Sequence, residues 1–365
     1  MKARLIAAAV GGLLAAPAAM AQLKPVAGFE WSLYGRVYLT VEQVESKGGT
    51  TPMSSRSRVS DNSSLLGIRA EKEISSGVKA WGQLETSFKA DDTSGGTNSF
   101  ANRNSGVGVT GGFGNFFFGR WDMPFKQTQT VAIDPFGDLT IAAASGTIVR
   151  QTGFNNRANN VIQYWSPSLQ GLIGKLALTS NEGKSDAAAA PGTAAGADPK
   201  MYGASLEWSK GPFFIGYGYE KHKDAVGNVT PTQGTDETGN GISGKVTVNA
   251  FQVSGQYGRY DRTGSDTQSS GAINLLATFA VHQFIGSYRK SVNGGPTGGE
   301  RPKCDSWAFA YKYLFDRNLD FIAEVVQVDN KEGGLCDFGQ NGVGAAATAG
   351  GGDPRGVGAG LRYSF

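Results

Sequence analysis

The chain has 365 residues, of which 54 are glycine, with 18% charged side chains, 10% aromatic side chains and a formal net charge of +3. Glycine costs a helix about 1 kcal/mol per interior site relative to alanine, so this composition argues against a helical protein. The absence of a G-X-Y period excludes a collagen-like chain, and the aromatic content excludes a disordered one.

The first predicted element is a leader over residues 1–21. Lys2 and Arg4 form a basic start, Leu5 to Leu14 an apolar stretch, and Ala19-Met20-Ala21 a small-x-small cleavage signal, so the cut is expected before Gln22. No cysteine sits at the cut, which argues against a lipoprotein anchor. Loss of the two charges Lys2 and Arg4 lowers the net +3 to +1, so no bulk attraction to nucleic acid is expected. Beyond residue 21 no run of 18 apolar residues occurs. An exported chain of this kind is either soluble or an outer-membrane β-barrel.

Strand signals follow in chain order. Leu33, Gly35, Val37, Leu39 and Val41 share one face, opposite Tyr34, Arg36, Tyr38 and Thr40. Leu66, Ile68 and Ala70 alternate with Arg69 and Glu71, and Val78, Ala80, Leu84 and Phe88 with Lys79, Gln83, Glu85 and Lys89. The pattern returns at Leu172 to Thr179, Ile215 to Glu220 and Phe309 to Tyr313, and ends at Val357, Ala359, Leu361, Tyr363 and Phe365. Period-two alternation of this kind marks a two-faced strand. Short turns are predicted near residues 75–77, 111–112, 167–168, 210–212, 249–250, 281–282 and 316–317. Longer polar, glycine-rich connections are predicted at about 46–61, 90–103, 122–157, 181–200, 222–240, 261–270, 291–303 and 331–354.

The runs between these connections number about sixteen, within boundary errors of a few residues. The predicted fold is all-β, a transmembrane antiparallel barrel forming one domain over residues 22–365. The Ala/Gly stretches at Ala187 to Gly196 and at 342–352 read as mobile loop tips. A secreted β-sandwich adhesin would also alternate, but it needs a dense apolar core. Here charges fall in mid-strand, and the last strand closes in phase on Phe365. A polar interior with an apolar outer band accepts that arrangement.

Several stretches together resemble the general porins of Gram-negative bacteria, of the beta-proteobacterial type. They are Leu33-Tyr34-Gly35-Arg36, Ser64 to Glu71, Gly112 to Arg120, Ile133 to Asp138, Asn155 to Asn160 with Ser166-Pro167, and the final strand. The resemblance covers essentially the whole mature chain. It implies a homotrimer of sixteen-stranded barrels in outer-membrane lipid and lipopolysaccharide, and a terminal Phe365 read by the barrel-assembly machinery. It also implies a third outer loop folded inward to narrow the bore. Residues 122–157 are then that loop, carrying the acids Asp134 and Asp138 against a basic wall of Arg36, Arg120 and Arg157. A transverse field across such a gap orients polar solutes and biases ion choice. Parity puts Arg36 on the polar face. Arg120 follows only if the strand bulges near Gly119; otherwise Phe116 and Phe118 turn inward too.

Arg69, Glu71, Lys79 and Glu85 are further expected lumen charges. Where many relatives carry basic residues, this chain has Leu65 and Gln163, so the ladder is thin and only a weak anion preference is expected. The expected function is passive diffusion of small hydrophilic solutes and ions, with no enzyme activity, cofactor or metal. The alternative is a porin preferring small organic anions. His222 and His282 are the only histidines, read as exposed loop residues. Cys304 and Cys336, the only cysteines, fall at outer loops, where an exported chain allows one disulfide. Two unpaired thiols are the alternative. Trp31, Phe125, Trp165, Trp208, Trp307 and Phe365 suit interfacial girdles.

Overall fold

The computed structural model describes residues 21–26, 28–92, 99–137, 140–143, 153–155, 157–180, 184, 196–226, 230–292, 303–331 and 334–365. Residues 1–20 of the leader, Asp138 and the stretch 187–195 therefore lie outside the described residues. Sixteen antiparallel strands form the wall: β1 (Phe29–Lys47), β2 in two pieces (Met53–Asp61 and Leu65–Ser75), β3 (Val78–Ser87), β4 (Ser105–Gly111), β5 (Gly114–Asp122), β6 (Arg157–Trp165), β7 (Leu172–Thr179) and β8 (Lys200–Lys210). The second half is β9 (Phe213–Lys223), β10 (Glu237–Val248), β11 (Phe251–Arg262), β12 (Gln268–Phe279), β13 (His282–Val292), β14 (Lys303–Leu314), β15 (Leu319–Lys331) and β16 (Asp353–Ser364).

Each strand pairs with its chain neighbour, and β16 closes on β1 from Arg36↔Ser364 to Lys47↔Asp353. Below that seam Gly35 and Phe365 exchange both backbone hydrogen bonds, at 2.9 and 3.0 Å. The segment Ala21–Val26 adds to the free edge of β1 from Ala21↔Leu33 onward. Among the described residues no helix is long and apolar enough to cross a membrane.

The two faces are sorted as the alternation predicts. Ile242, Ile273 and Phe309 are 55%, 58% and 57% exposed on one face, and Glu42, Ser254 and Ser287 are buried on the other. Leaving a large aliphatic side chain in water forgoes roughly 1.5–3 kcal/mol. Repeated around sixteen strands, that pattern fits a hydrocarbon surround and not water. Tight turns join the strands at one end and longer connections at the other, in the expected alternation.

Residues 46–61 depart from the expected loop. β1 runs to Lys47, and Met53–Asp61 pairs with it from Ser46↔Met53 to Leu39↔Asp61. Serines and arginines make this stretch read as a connection, yet paired inward-facing polar residues suffice for it: Arg58 Nε lies 2.7 Å from Glu42 Oε2. Between the two pieces of β2, Asn62 N donates to Tyr38 O and Ser64 Oγ accepts from Tyr38 N, so the ladder breaks for three residues without losing its partners. Residues 342–352, expected to be a mobile tip, are docked: helix Ala345–Thr348 sits over β1, with Ala347 O accepting from Ser46 Oγ at 2.6 Å.

Candidate channel constriction

β5 ends in a bulge that settles the phase of its aromatics. Gly119 has φ +150°, and pairing to β6 shifts between Gly119↔Val161 and Trp121↔Ala158. A Cβ at Gly119 would meet Ser105 O at 2.3 Å, so only glycine fits. Phe116 and Phe118 stay on the exposed face, while Phe117 and Trp121 join Trp81 and Trp165 in a cluster on the inner face. Trp165 thus turns partly away from a girdle position, and its ring carries Lys175 Nζ at 4.9 Å.

After Asp122 the chain makes helical turn α1 (Pro124–Lys126) and then a π-turn (Gln127–Val131). Proline at the first helical position fits because its missing N–H would be unpaired there anyway. Phe125, expected in a girdle, is fully buried against Phe154 and Tyr260. It sits on a loop helix and never reaches the outer face.

The wall beneath this segment is flattened by glycine. A Cβ at Gly218 would lie 2.7 Å from Thr128 Oγ1, and one at Gly241 2.6 Å from Gln129 Cδ. Further along, wall side chains donate to the segment's carbonyls. Ser243 Oγ reaches Thr128 O at 2.8 Å, Lys245 Nζ reaches Ala132 O at 3.0 Å and Ser254 Oγ reaches Ile133 O at 2.6 Å. Lys312 Nζ reaches Pro135 O at 3.4 Å, and the fully buried Arg289 donates to Ala142 O and Ala143 O. Residues 124–137 and 140–143 therefore lie against the polar faces of β9–β14. That these glycines and donors meet the loop was not anticipated from sequence, because nothing local marks a lysine or glycine as facing a segment so far off in the chain.

The residues expected to form the constriction occupy distinct places. Arg36 Nε donates to Ser63 O at 2.9 Å. Arg120 donates to Asn102 O and Asn159 Oδ1. Arg157 lies 3.2 Å from Asp122 Oδ1, a carboxylate shared with Lys126 at 3.1 Å. Arg120 and Arg157 thus gather at the root of the loop. Asp134 is buried farther along it and accepts from Phe136 N at 3.0 Å.

The other expected lumen charges are paired: Arg69 with Glu71 at 2.8 Å, Lys79 with Glu71 at 3.7 Å and Arg103 with Glu85 at 2.6 Å. The Arg69 guanidinium also lies 4.6 Å from the Trp81 ring centre. Cys304 and Cys336 are joined by a disulfide.

His222 is not an exposed loop residue. It lies near the end of β9, fully buried, with Nε2 2.8 Å from Glu220 Oε1 and Nδ1 2.9 Å from Glu237 Oε2, stacked on Phe154. Its polar neighbours made this strand end read as a loop. His282 is exposed beside a turn and bonds Tyr311. Among the described residues no three His, Cys, Asp or Glu side chains converge as a metal site.

A closed wall with an apolar exterior and a polar interior defines a membrane channel of the outer-membrane barrel class. The family model described as Gram-negative porin matches residues 6–333, and the chain belongs to that family. It is 26% identical over 374 residues to outer membrane porin protein 32 of Delftia acidovorans, covering 100% of both chains. It is also 26% identical to a monosaccharide porin of a Halomonas species, over 82% of each chain. Among solved structures, an anion-selective porin from Comamonas acidovorans superposes with a TM-score of 0.73 at 20% identity, covering 92% of this chain and 100% of that one. The protein is an outer-membrane channel, and its family consists of channels rather than enzymes.

Proposed function

We propose that the chain is a passive diffusion channel for small hydrophilic solutes and ions, with a weak preference for anions. The segment after β5 narrows the bore. In this reading Arg36, Arg120 and Arg157 face the loop acids Asp134 and Asp138 across the ion path. The observation that carries the anion preference is how the wall cations are held. Arg58, Arg69, Arg103, Lys175 and Arg362 each sit on a carboxylate. Arg36, Lys245, Arg289 and Lys312 are held by backbone carbonyls instead. A carbonyl partner brings no opposite charge to cancel the cation it holds, and a low-dielectric wall carries that field into the bore. The offsetting acids keep the bias small.

The working unit is a homotrimer in outer-membrane lipid and lipopolysaccharide, delivered by assembly machinery that reads Phe365. A trimeric form of the Vibrio cholerae protein OmpT has the same fold, with a TM-score of 0.68 at 15% identity over 93% of this chain. Planar-bilayer recording in a salt gradient tests the proposal. Discrete steps with a reversal potential of anion sign are expected. A cation-sign potential would overturn the preference, and steps absent altogether would overturn the channel. A second reading is a channel tuned for small organic anions, and the anion selectivity of the Comamonas porin is in keeping with it. In that case added carboxylates would block chloride current at concentrations where neutral sugars leave it unchanged.

A further inference from the structure

The outer connection before β16 does not stand clear of the barrel. From Cys336, bonded to Cys304 at the top of β14, it crosses to β2, where Asn341 O and Gly342 O accept from Arg58 and Asn341 Nδ2 donates to Asp61 O. On the way it lies on the distal end of the inward segment. Gly339 N donates to Ile141 O at 3.2 Å and Gln340 N to Thr140 O at 3.1 Å. The approach is backbone to backbone: a Cβ at Gly339 would sit 2.6 Å from Ala143 Cβ and 2.9 Å from Thr140 O. Phe338 is buried with Ile141, Ala142 and Ala143 in one apolar cluster, and the two half-cystines belong to it. Asn330 bonds both N and O of Cys336, at 2.9 and 3.0 Å, which fixes where the strap begins.

Resting on the reading that the segment after β5 narrows the bore, we infer that residues 336–342 are a strap, latched by the Cys304–Cys336 disulfide, which positions the distal arm of that segment and so sets the open-channel bore. The near end of the arm is held by the wall itself, through the glycine bed and the donors Ser243, Lys245 and Ser254. Its far end, residues 140–143, has the wall on one side, through Arg289 and the Thr140–Glu324 contact of 2.6 Å, and the strap on the other. Apolar packing and two backbone hydrogen bonds hold this second side, and the disulfide restricts how far strap and arm can separate. Releasing the strap lets the far end swing while the barrel stays closed. Local openings of this kind cost less than global unfolding.

The test uses purified folded protein in planar bilayers and four forms: wild type, the double variant C304S/C336S, Gly339→Val and Arg289→Gln. Gly339→Val leaves the disulfide in place and forces the strap off the arm. Arg289→Gln removes the wall donors of the same arm and reports on the constriction alone. Heat-modified gel mobility establishes that each barrel is closed. Both C304S/C336S and Gly339→Val are expected to raise open-channel current noise about twofold. Wild-type traces from both, with Arg289→Gln altered, would overturn the strap and leave the constriction standing. Wild-type traces from all three would overturn the constriction reading and the strap with it.

Discussion

Gly241 shows how much one absent methyl group does in this wall. Its missing side chain is the space occupied by Gln129 of the inward segment. Gly241→Val should cost about 1–3 kcal/mol through overpacking and lift the segment, which a lowered unfolding midpoint together with a changed single-channel conductance would register. Arg120 and Arg157 pose a different question. Arg157 pairs with the Asp122 carboxylate at the loop root, and Arg120 bonds Asn102 and Asn159 nearby, so reversing both charges leaves Asp122 paired with Lys126. Arg120→Glu with Arg157→Glu should move the permeability ratio toward cations. An unchanged reversal potential would show that these arginines do not reach the ion path. Arg36 was legible by simple parity; Arg120 was not, because its direction depends on a bulge that only the packing of Gly119 against Ser105 decides.

At the scale of elements, turns and loops obey different physics. The turn after β14 is set by Asp316, whose Oδ1 accepts from Asn318 N at 2.7 Å and Leu319 N at 2.8 Å. Those bonds hold its carboxyl below the usual carboxylate range. A depressed folded value means the stabilisation is present above the unfolded value of about 3.9 and is lost as pH falls through the folded one. Asp316→Ala should therefore unfold at a lower temperature than wild type near neutrality, and the gap should close in strong acid. Such turns were readable from sequence because their chemistry is local. The long connections were not: residues 46–61 carry loop composition on paired strands, and the tract 342–352 carries linker composition on a docked turn. Composition reports what water tolerates, and at the mouth of a barrel water tolerates strand and loop alike.

For the whole molecule, alternation of apolar and polar residues specified the barrel because each face has one solvent, hydrocarbon outside and water inside. The inner side nonetheless carries apolar clusters around Phe117, Phe125 and Phe338. They were missed because a buried aromatic beneath a loop has the same strand parity as a polar residue facing water. The last residue extends the closing seam. Phe365 exchanges backbone bonds with Gly35, and its ring lies over that glycine. Phe365→Ala keeps the bonds and removes the ring, so it should lower the yield of heat-modifiable barrel in cells more than it lowers the stability of barrel refolded in vitro. Equal losses in both would make the ring a packing residue and not an assembly signal.

The glycine bed under the inward segment also bears on inheritance. Wall and loop fit as cast and mould: Gly218 is hollow where Thr128 protrudes, and Gly241 where Gln129 does. A bulkier loop would find no room on these strands, and this loop on a wall with side chains there would be pushed off the strands and into the bore. The loop and strands β9–β10 therefore fit only as a pair, and a crossover that falls between them sets each against a partner it does not match.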